Sequence, residues 1–154
     1  MRIELSSFRI SQILLQIPYL RDIIGAFHNP WFFERQIRSI SGSWDALSPD
    51  DIQTMNEALL HKNGNYRLPA TISYLSDRYR FQNQRWIPAL QQLSAAGLRI
   101  NICWGSSDSV APVTIAHRLT ENIPLASLKI LQGLGHFTML ESPELWSRSI
   151  LSFF

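Results

Sequence analysis

The chain lacks several things that would place it in a class at once. It has one cysteine, Cys103, so no intrachain disulfide can staple it. A single thiol inside an apolar run reads as core filler before it reads as a nucleophile. Charged residues make up 17% of the 154 positions, below the ~25% of ordinary domains. Fourteen basic side chains against 12 acidic leave a net charge of +2, too small and too scattered to mark a polyanion-binding domain. The densest basic stretch, Arg78, Arg80 and Arg85 beside Tyr79, Phe81 and Trp86, also holds Asp77 and follows no nucleic-acid-binding motif, so no nucleic-acid partner is expected. No apolar run approaches the ~18 residues of a membrane span. The opening Met1-Arg2-Ile3-Glu4 and the interrupted run before Pro18 make no leader, so a cytoplasmic location is expected. Repeats and low-complexity stretches are missing too.

What is present suits one ordinary domain. Hydrophobic residues are 45% of the chain, and a chain of this length can bury about 70% of its unfolded surface. Residues 6–95 read as helices punctuated by turns. Ile13, Leu14, Ile17, Leu20, Ile24 and Phe27 recur at spacings of three and four, one helical face broken at Pro18. Asn29-Pro30 predicts a cap and a first helical position, with Phe33, Ile37 and Ile40 as the stripe and Gly42 as the stop. Ser48-Pro49-Asp50-Asp51 predicts a second start, with Ile52, Met55 and Leu59 inward and Asn63-Gly64-Asn65 as its end. A further helix is expected to open at Pro69, with Ile72, Leu75 and Tyr79 as its stripe. A last one carries Trp86, Leu90 and Leu93 before Gly97.

Past Gly97 the period changes. Residues 98–104, apolar and β-branched, predict a strand closed by Gly105. Residues 112–122 predict a helix with Ile115, Ala116 and Leu119 inward. Residues 127–131 predict a second strand, and Ser142-Pro143-Glu144 opens a final helix carrying Leu145, Trp146, Ile150 and Phe153. The expected C-terminal third is therefore a βαβ unit with a covering helix. Two parallel strands are few, because such strands are normally buried on both faces of a larger sheet, and residues 1–5 make a poor third. The architecture reads as incomplete.

Chemistry concentrates at the ends of the two strands. Asp108 follows the first and His136 the second. Side chains just past the carboxyl ends of parallel strands surround the ligand crevice of open α/β sheets. A carboxylate on one imidazole nitrogen fixes the tautomer, leaving the other nitrogen to act as general base. An ordinary turn aspartate and a loop histidine would use the same residue types, so spacing alone leaves both readings open.

Trp104-Gly105-x-x-Asp108-x-x-x-Pro112, Ile123-Pro124, Gly135-His136-Phe137 and Leu140-Glu141-x-Pro143-Glu144, in that order, resemble the C-terminal segment of α/β-hydrolase-fold enzymes over residues 98–154. The resemblance implies that Asp108 is the acid and His136 the base of a nucleophile–His–acid triad. It also implies that residues 1–95 are a helical cap and residues 96–154 the C-terminal lobe of the hydrolase core, in the branch of epoxide hydrolases and haloalkane dehalogenases. Gly64-Asn65, Tyr74, Arg78, Phe81 and Arg85-Trp86 are similar to the mesoderm-specific transcript group of that superfamily.

The expected fold class is thus α/β: a partial α/β-hydrolase fold, with the N-terminal sheet and the nucleophile elbow absent. The nearest imitation of the elbow, Gly105-Ser106-Ser107-Asp108-Ser109, has Ser109 where the second glycine belongs and sits in the acid's loop. The implied reaction is hydrolysis of a small hydrophobic ester, epoxide or haloalkane through a covalent ester, with no metal and no organic cofactor. Without a nucleophile the chain alone is expected to be inactive. The alternative is a non-catalytic interaction module that pairs, as a homo- or hetero-oligomer, through its open sheet edge with an N-terminal half or sister subunit. Tyr74, Trp104 and Phe137 are the substrate-binding candidates, Tyr74 as a cap phenol and the other two as walls of an apolar pocket. Tyr79 reads as packing. His28, His61 and His117 lack metal-ligand spacing, and Glu141 and Glu144 suit a helix N-terminus without a chemical role.

Overall fold

The computed structural model of the protein describes residues 28–67 and 74–154. The expected stripe from Ile13 to Phe27, the expected weak strand at residues 1–5, and the expected helix opening at Pro69 with Ile72 lie outside the described residues.

Helix α1 (Pro30–Ile40) starts where its cap dictates: Asn29 Oδ1 accepts from the amides of Trp31 at 2.9 Å and Phe32 at 3.4 Å, and Pro30 has no amide to satisfy. Its stripe buries Ile37, while Arg38 pairs with Glu34 one turn back at 2.8 Å. The helix ends on Ser41 in an extended conformation, so the stop expected at Gly42 comes one residue earlier. Helix α2 (Pro49–Leu60) begins with a complete capping box, in which Ser48 Oγ accepts from the Asp51 amide at 3.1 Å and Asp51 Oδ2 accepts from the Ser48 amide at 3.1 Å. Ile37, Leu47 and Ile52 form the core of this layer, with Phe33, Met55 and Phe137 packed on it.

A 3₁₀ segment, His61–Arg67, follows α2. Here Lys62 (φ 50°) and Asn63 (φ 60°) take the left-handed conformation, and Gly64 does not. Gly64 instead lies against the Leu59 carbonyl, where a Cβ would collide. The turn sits where the sequence places it, but the glycine serves a close approach.

Helix α3 (Tyr74–Phe81) passes through a π turn (Gln82–Trp86) into α4 (Ile87–Ala95). The expected stripe is corrected on α4: Trp86 is 41% and Leu93 49% exposed and Leu90 half-buried, whereas Gln82, Ile87 and Ser94 are buried. Ile87 and Ser94 lie seven positions apart, two helical turns, and so share the inward face. Ser94 Oγ donates to the Pro124 carbonyl, and Gln91 Nε2 donates to the Asn122 carbonyl at 2.6 Å. The helix ends in a Schellman cap: the Gly97 amide (φ 96°) bonds the Ser94 carbonyl at 2.9 Å and the Leu98 amide bonds the Leu93 carbonyl at 3.0 Å. With Leu98 engaged there, strand β1 (Asn101–Gly105) starts later than its apolar run suggests.

Strand β2 (Ser127–Leu131) has the expected bounds. It lies parallel to β1, with Asn101 opposite Ser127 and Gly105 opposite Leu131. Helix α5 (Thr114–Asn122), which buries Ile115 and Ala116, connects the strands and packs on both. A short α6 (Thr138–Glu141) leads into α7 (Pro143–Leu151), which packs on β2. The fold is a mixed α/β arrangement whose sheet, among the described residues, has two strands. Its inner positions, Ile102, Cys103, Trp104, Leu128, Lys129 and Ile130, are only half-buried. Among the described residues no helix is long and apolar enough to cross a membrane.

Candidate active site

Because Gly105 and Leu131 are register partners, both strands release their chains at the same edge of the sheet. The two loops are then stitched together. The Ser106 amide bonds the Leu131 carbonyl at 3.0 Å, the Ser107 amide bonds the Leu134 carbonyl at 2.9 Å, and Ser106 Oγ accepts from the Gly133 amide at 2.8 Å. Gly105 permits this approach, since a Cβ there would sit 2.5 Å from the Gly135 carbonyl oxygen. Gly135 in turn lies against residues 40–42 of the turn after α1, where a Cβ would come within 2.6 Å of the Ile40 carbonyl oxygen.

Asp108 sits in a tight turn after β1. Its Oδ1 accepts from the amides of Val110 and Ala111, both at 2.8 Å, and its Oδ2 lies 2.9 Å from His136 Nδ1. Trp104 Nε1 donates to the Ala111 carbonyl at 2.8 Å, bracing the same loop from the strand. The Asp108 side chain is 8% exposed and that of His136 36%. Burial alone would push the Asp108 carboxyl up. The His136 hydrogen bond, the two backbone amides and the imidazole's charge outweigh it and hold the carboxyl below its ordinary 3.8. An ionised carboxylate only accepts, so the proton between the pair belongs to Nδ1, and Nε2 is the ring nitrogen left for proton transfer.

The substrate-binding candidates fall in three places. Phe137 sets its ring edge-on to the His136 imidazole, with centroids 5.4 Å apart at 74°, and also packs on the Ile37–Leu47–Ile52 cluster. Trp104 is half-buried beside the acid loop. Tyr74 opens α3, and its side chain, like that of Tyr79, lies outside the described residues. Ser107 does not occupy an elbow, because α5 begins only at Thr114, beyond the Asp108 turn. Burial raises the Cys103 thiol above its ordinary value, with Lys129 opposing, so thiolate chemistry is disfavoured there. Among the described residues no three His, Cys, Asp or Glu side chains gather as a metal site. A cleft of about 520 Å³ lies between α1 and α2, lined by Trp31, Phe33, Ile52, Asn56 and Glu57.

Sequence reasoning gave Glu141 only a dipole role, and the structure corrects that. It is the last residue of α6, and its carboxylate gathers backbone amides from two parts of the fold. Oε2 accepts from Gly42 at 2.9 Å and Gly135 at 2.8 Å, and Oε1 accepts from Phe137 at 3.1 Å. No local pattern marks this role, because the Gly42 donor lies 99 positions away in the chain.

Against known proteins, the chain is 31% identical over 151 residues to the protein named "Putative hydrolase LipZ" of Mycobacterium tuberculosis, in strains CDC 1551 / Oshkosh and ATCC 25618 / H37Rv alike. The match covers 97% of this chain and 50% of that protein. The crystal structure of wild-type Cfl2 from Burkholderia cenocepacia superposes with a TM-score of 0.71 at 15% identity, covering all of this chain and 52% of Cfl2. At that identity the likeness is one of fold. The chain spans about half the length of the relatives it matches. No protein-family profile matches it.

Proposed function

We propose that this chain carries the acid and the base of a hydrolase of the α/β-hydrolase fold, with Asp108 and His136 in those roles, and that the nucleophile comes from a complementary half. The carrying observation is the 2.9 Å contact between a buried, amide-held carboxylate and a partly exposed imidazole at the carboxyl edge of two parallel strands. His136 Nε2 takes the proton of the nucleophile or of the water that cleaves the covalent ester. Asp108 holds the tautomer and stabilises the imidazolium that forms. The likeness to half of LipZ supports the hydrolytic class, and the sheet, two-stranded among the described residues, supports completion by further strands. Residues 1–95 act as a cap of the epoxide hydrolase and haloalkane dehalogenase kind, in which Tyr74 is the cap phenol, and Phe137 and Trp104 wall an apolar pocket. The substrate is a small hydrophobic ester, epoxide or haloalkane.

The test is turnover of an aryl ester and an aryl epoxide by the purified chain, alone and mixed with the half of LipZ that it does not match. The expected result is background turnover alone and activity in the mixture that His136→Ala abolishes. Turnover by the chain alone, lost in His136→Ala, overturns the need for a second half. Activity in the mixture that survives His136→Ala overturns the assignment of the base. The half-buried strand positions also fit a purely pairing role, in which the mixture assembles without turnover and Asp108→Asn changes nothing.

A further inference from the structure

We infer that Glu141 is a positioning residue for His136, acting by clamping the His136 loop to the turn that follows α1. The inference rests on the reading of Asp108 and His136 as an acid–base pair and adds what aims the base. The imidazole of His136 is hydrogen-bonded by Asp108 and meets the Phe137 ring edge-on, while its backbone is fixed by other segments. Its own amide bonds the Ile40 carbonyl at 2.9 Å. The residues on either side of it, Gly135 and Phe137, both donate to the Glu141 carboxylate, at 2.8 Å and 3.1 Å. The same carboxylate takes the Gly42 amide at 2.9 Å, so one side chain joins the helical layer to both flanks of the imidazole.

Three features make this more than a helix contact. The donors come from segments far apart in sequence, Gly42 and Glu141 being 99 positions apart. Two of the donors are glycines in contact: a Cβ on Gly135 would strike the Gly42 amide, and a Cβ on Gly42 would lie 2.8 Å from Glu141 Oε2. Bare backbone is therefore required for the carboxylate to reach both amides. Finally, three N–H donors to one carboxylate use its acceptor-only chemistry. A glutamine of the same shape presents an NH₂ to at least one of those donors and leaves it unpaired.

The test reads the imidazole directly in the full 154-residue chain. Nitrogen-15 and proton NMR of labelled histidine report the His136 tautomer and the exchange rate of its Nδ1 proton. The variants are Glu141→Gln and Glu141→Asp, with Asp108→Asn as the positive control. Ser48→Ala is the stability control, since it weakens a helix cap that does not touch the His136 loop. In the wild-type chain the Nδ1–H tautomer is expected. Glu141→Gln should keep the far-ultraviolet circular dichroism spectrum, mix the tautomers, and speed Nδ1 proton exchange about ten-fold, the factor that one lost hydrogen bond carries. Glu141→Asp keeps the charge and should recover part of the wild-type signal. If Asp108→Asn changes the signal and Glu141→Gln does not, the positioning role is wrong and the acid–base pair stands. If Asp108→Asn leaves the signal unchanged, the pair itself is wrong and the positioning role falls with it. Equal changes in Ser48→Ala and Glu141→Gln, or unfolding of both Glu141 variants, would make Glu141 a general stability residue and overturn the inference.

Discussion

Replacing Gly135 with alanine tests whether the edge that carries Asp108 and His136 depends on backbone meeting backbone. The added Cβ would fall 2.6 Å from the Ile40 carbonyl oxygen and closer still to the Gly42 amide nitrogen and the Ser41 carbonyl carbon. None of these is a flexible side-chain end, so the two segments must part. Overpacking of this kind costs roughly 1–3 kcal/mol. Relief of the clash strips the Gly135 bond to Glu141 and the His136 bond to Ile40, each worth about 1 kcal/mol. The expected loss is about 3–5 kcal/mol.

Urea unfolding followed by the fluorescence of the chain's five tryptophans reads this. With a slope of about 2 kcal/mol per molar urea, the midpoint should fall by about 1.5–2.5 M. Gly97→Ala is the matched control. Nothing lies within 4 Å of a Cβ there, and its cost is the φ of 96° alone, about 1–2 kcal/mol. If Gly135→Ala shifts the midpoint no more than Gly97→Ala, the close approach is not a constraint and the reasoning fails.

Three further outcomes are expected. Asp108, whose carboxyl is held below 3.8, contributes stability that is complete above that pH and is lost as pH falls through its lower folded value. Asp108→Asn should therefore flatten the acid limb of the stability profile below about pH 4, and an unchanged acid limb would refute the assignment. Trp104→Phe removes the 2.8 Å bond to the Ala111 carbonyl and should cost about 1 kcal/mol in urea unfolding while broadening the Asp108 turn resonances by NMR. Ser48→Ala breaks the capping box and should cost about 1 kcal/mol, with no change at His136; a change there would couple α2 to the site in a way the contacts do not explain.

How much of this was legible follows from the range of the interactions. Asn29 and Ser48 satisfy amides within three residues of themselves, so a short window of sequence contains both donor and acceptor. Strand β2 is bounded by its own apolar run and glycines. The placement of Asp108 and His136 just past two strands needs only the strand order, which makes those two residues readable as a pair. Trp86 and Leu93 were misread, and the close contacts of Gly42 and Gly64 were not legible, for one reason: a local pattern does not display the carbonyl, carboxylate or packing face that each residue meets or misses.

By itself the sequence determined the starts of α1, α2 and α7, the change from helical to strand period after Gly97, and the residue types able to act as acid and base. Those properties follow from hydrogen bonds and periodicities that close within a few residues. Tertiary structure alone decided that Gly105 and Leu131 end in register, that Asp108 reaches His136 at 2.9 Å, and that Glu141 binds Gly42, Gly135 and Phe137 together. Such contacts join positions tens of residues apart, and a carboxylate shows no preference for distant amides until the chain has folded and removed the water that would otherwise solvate them.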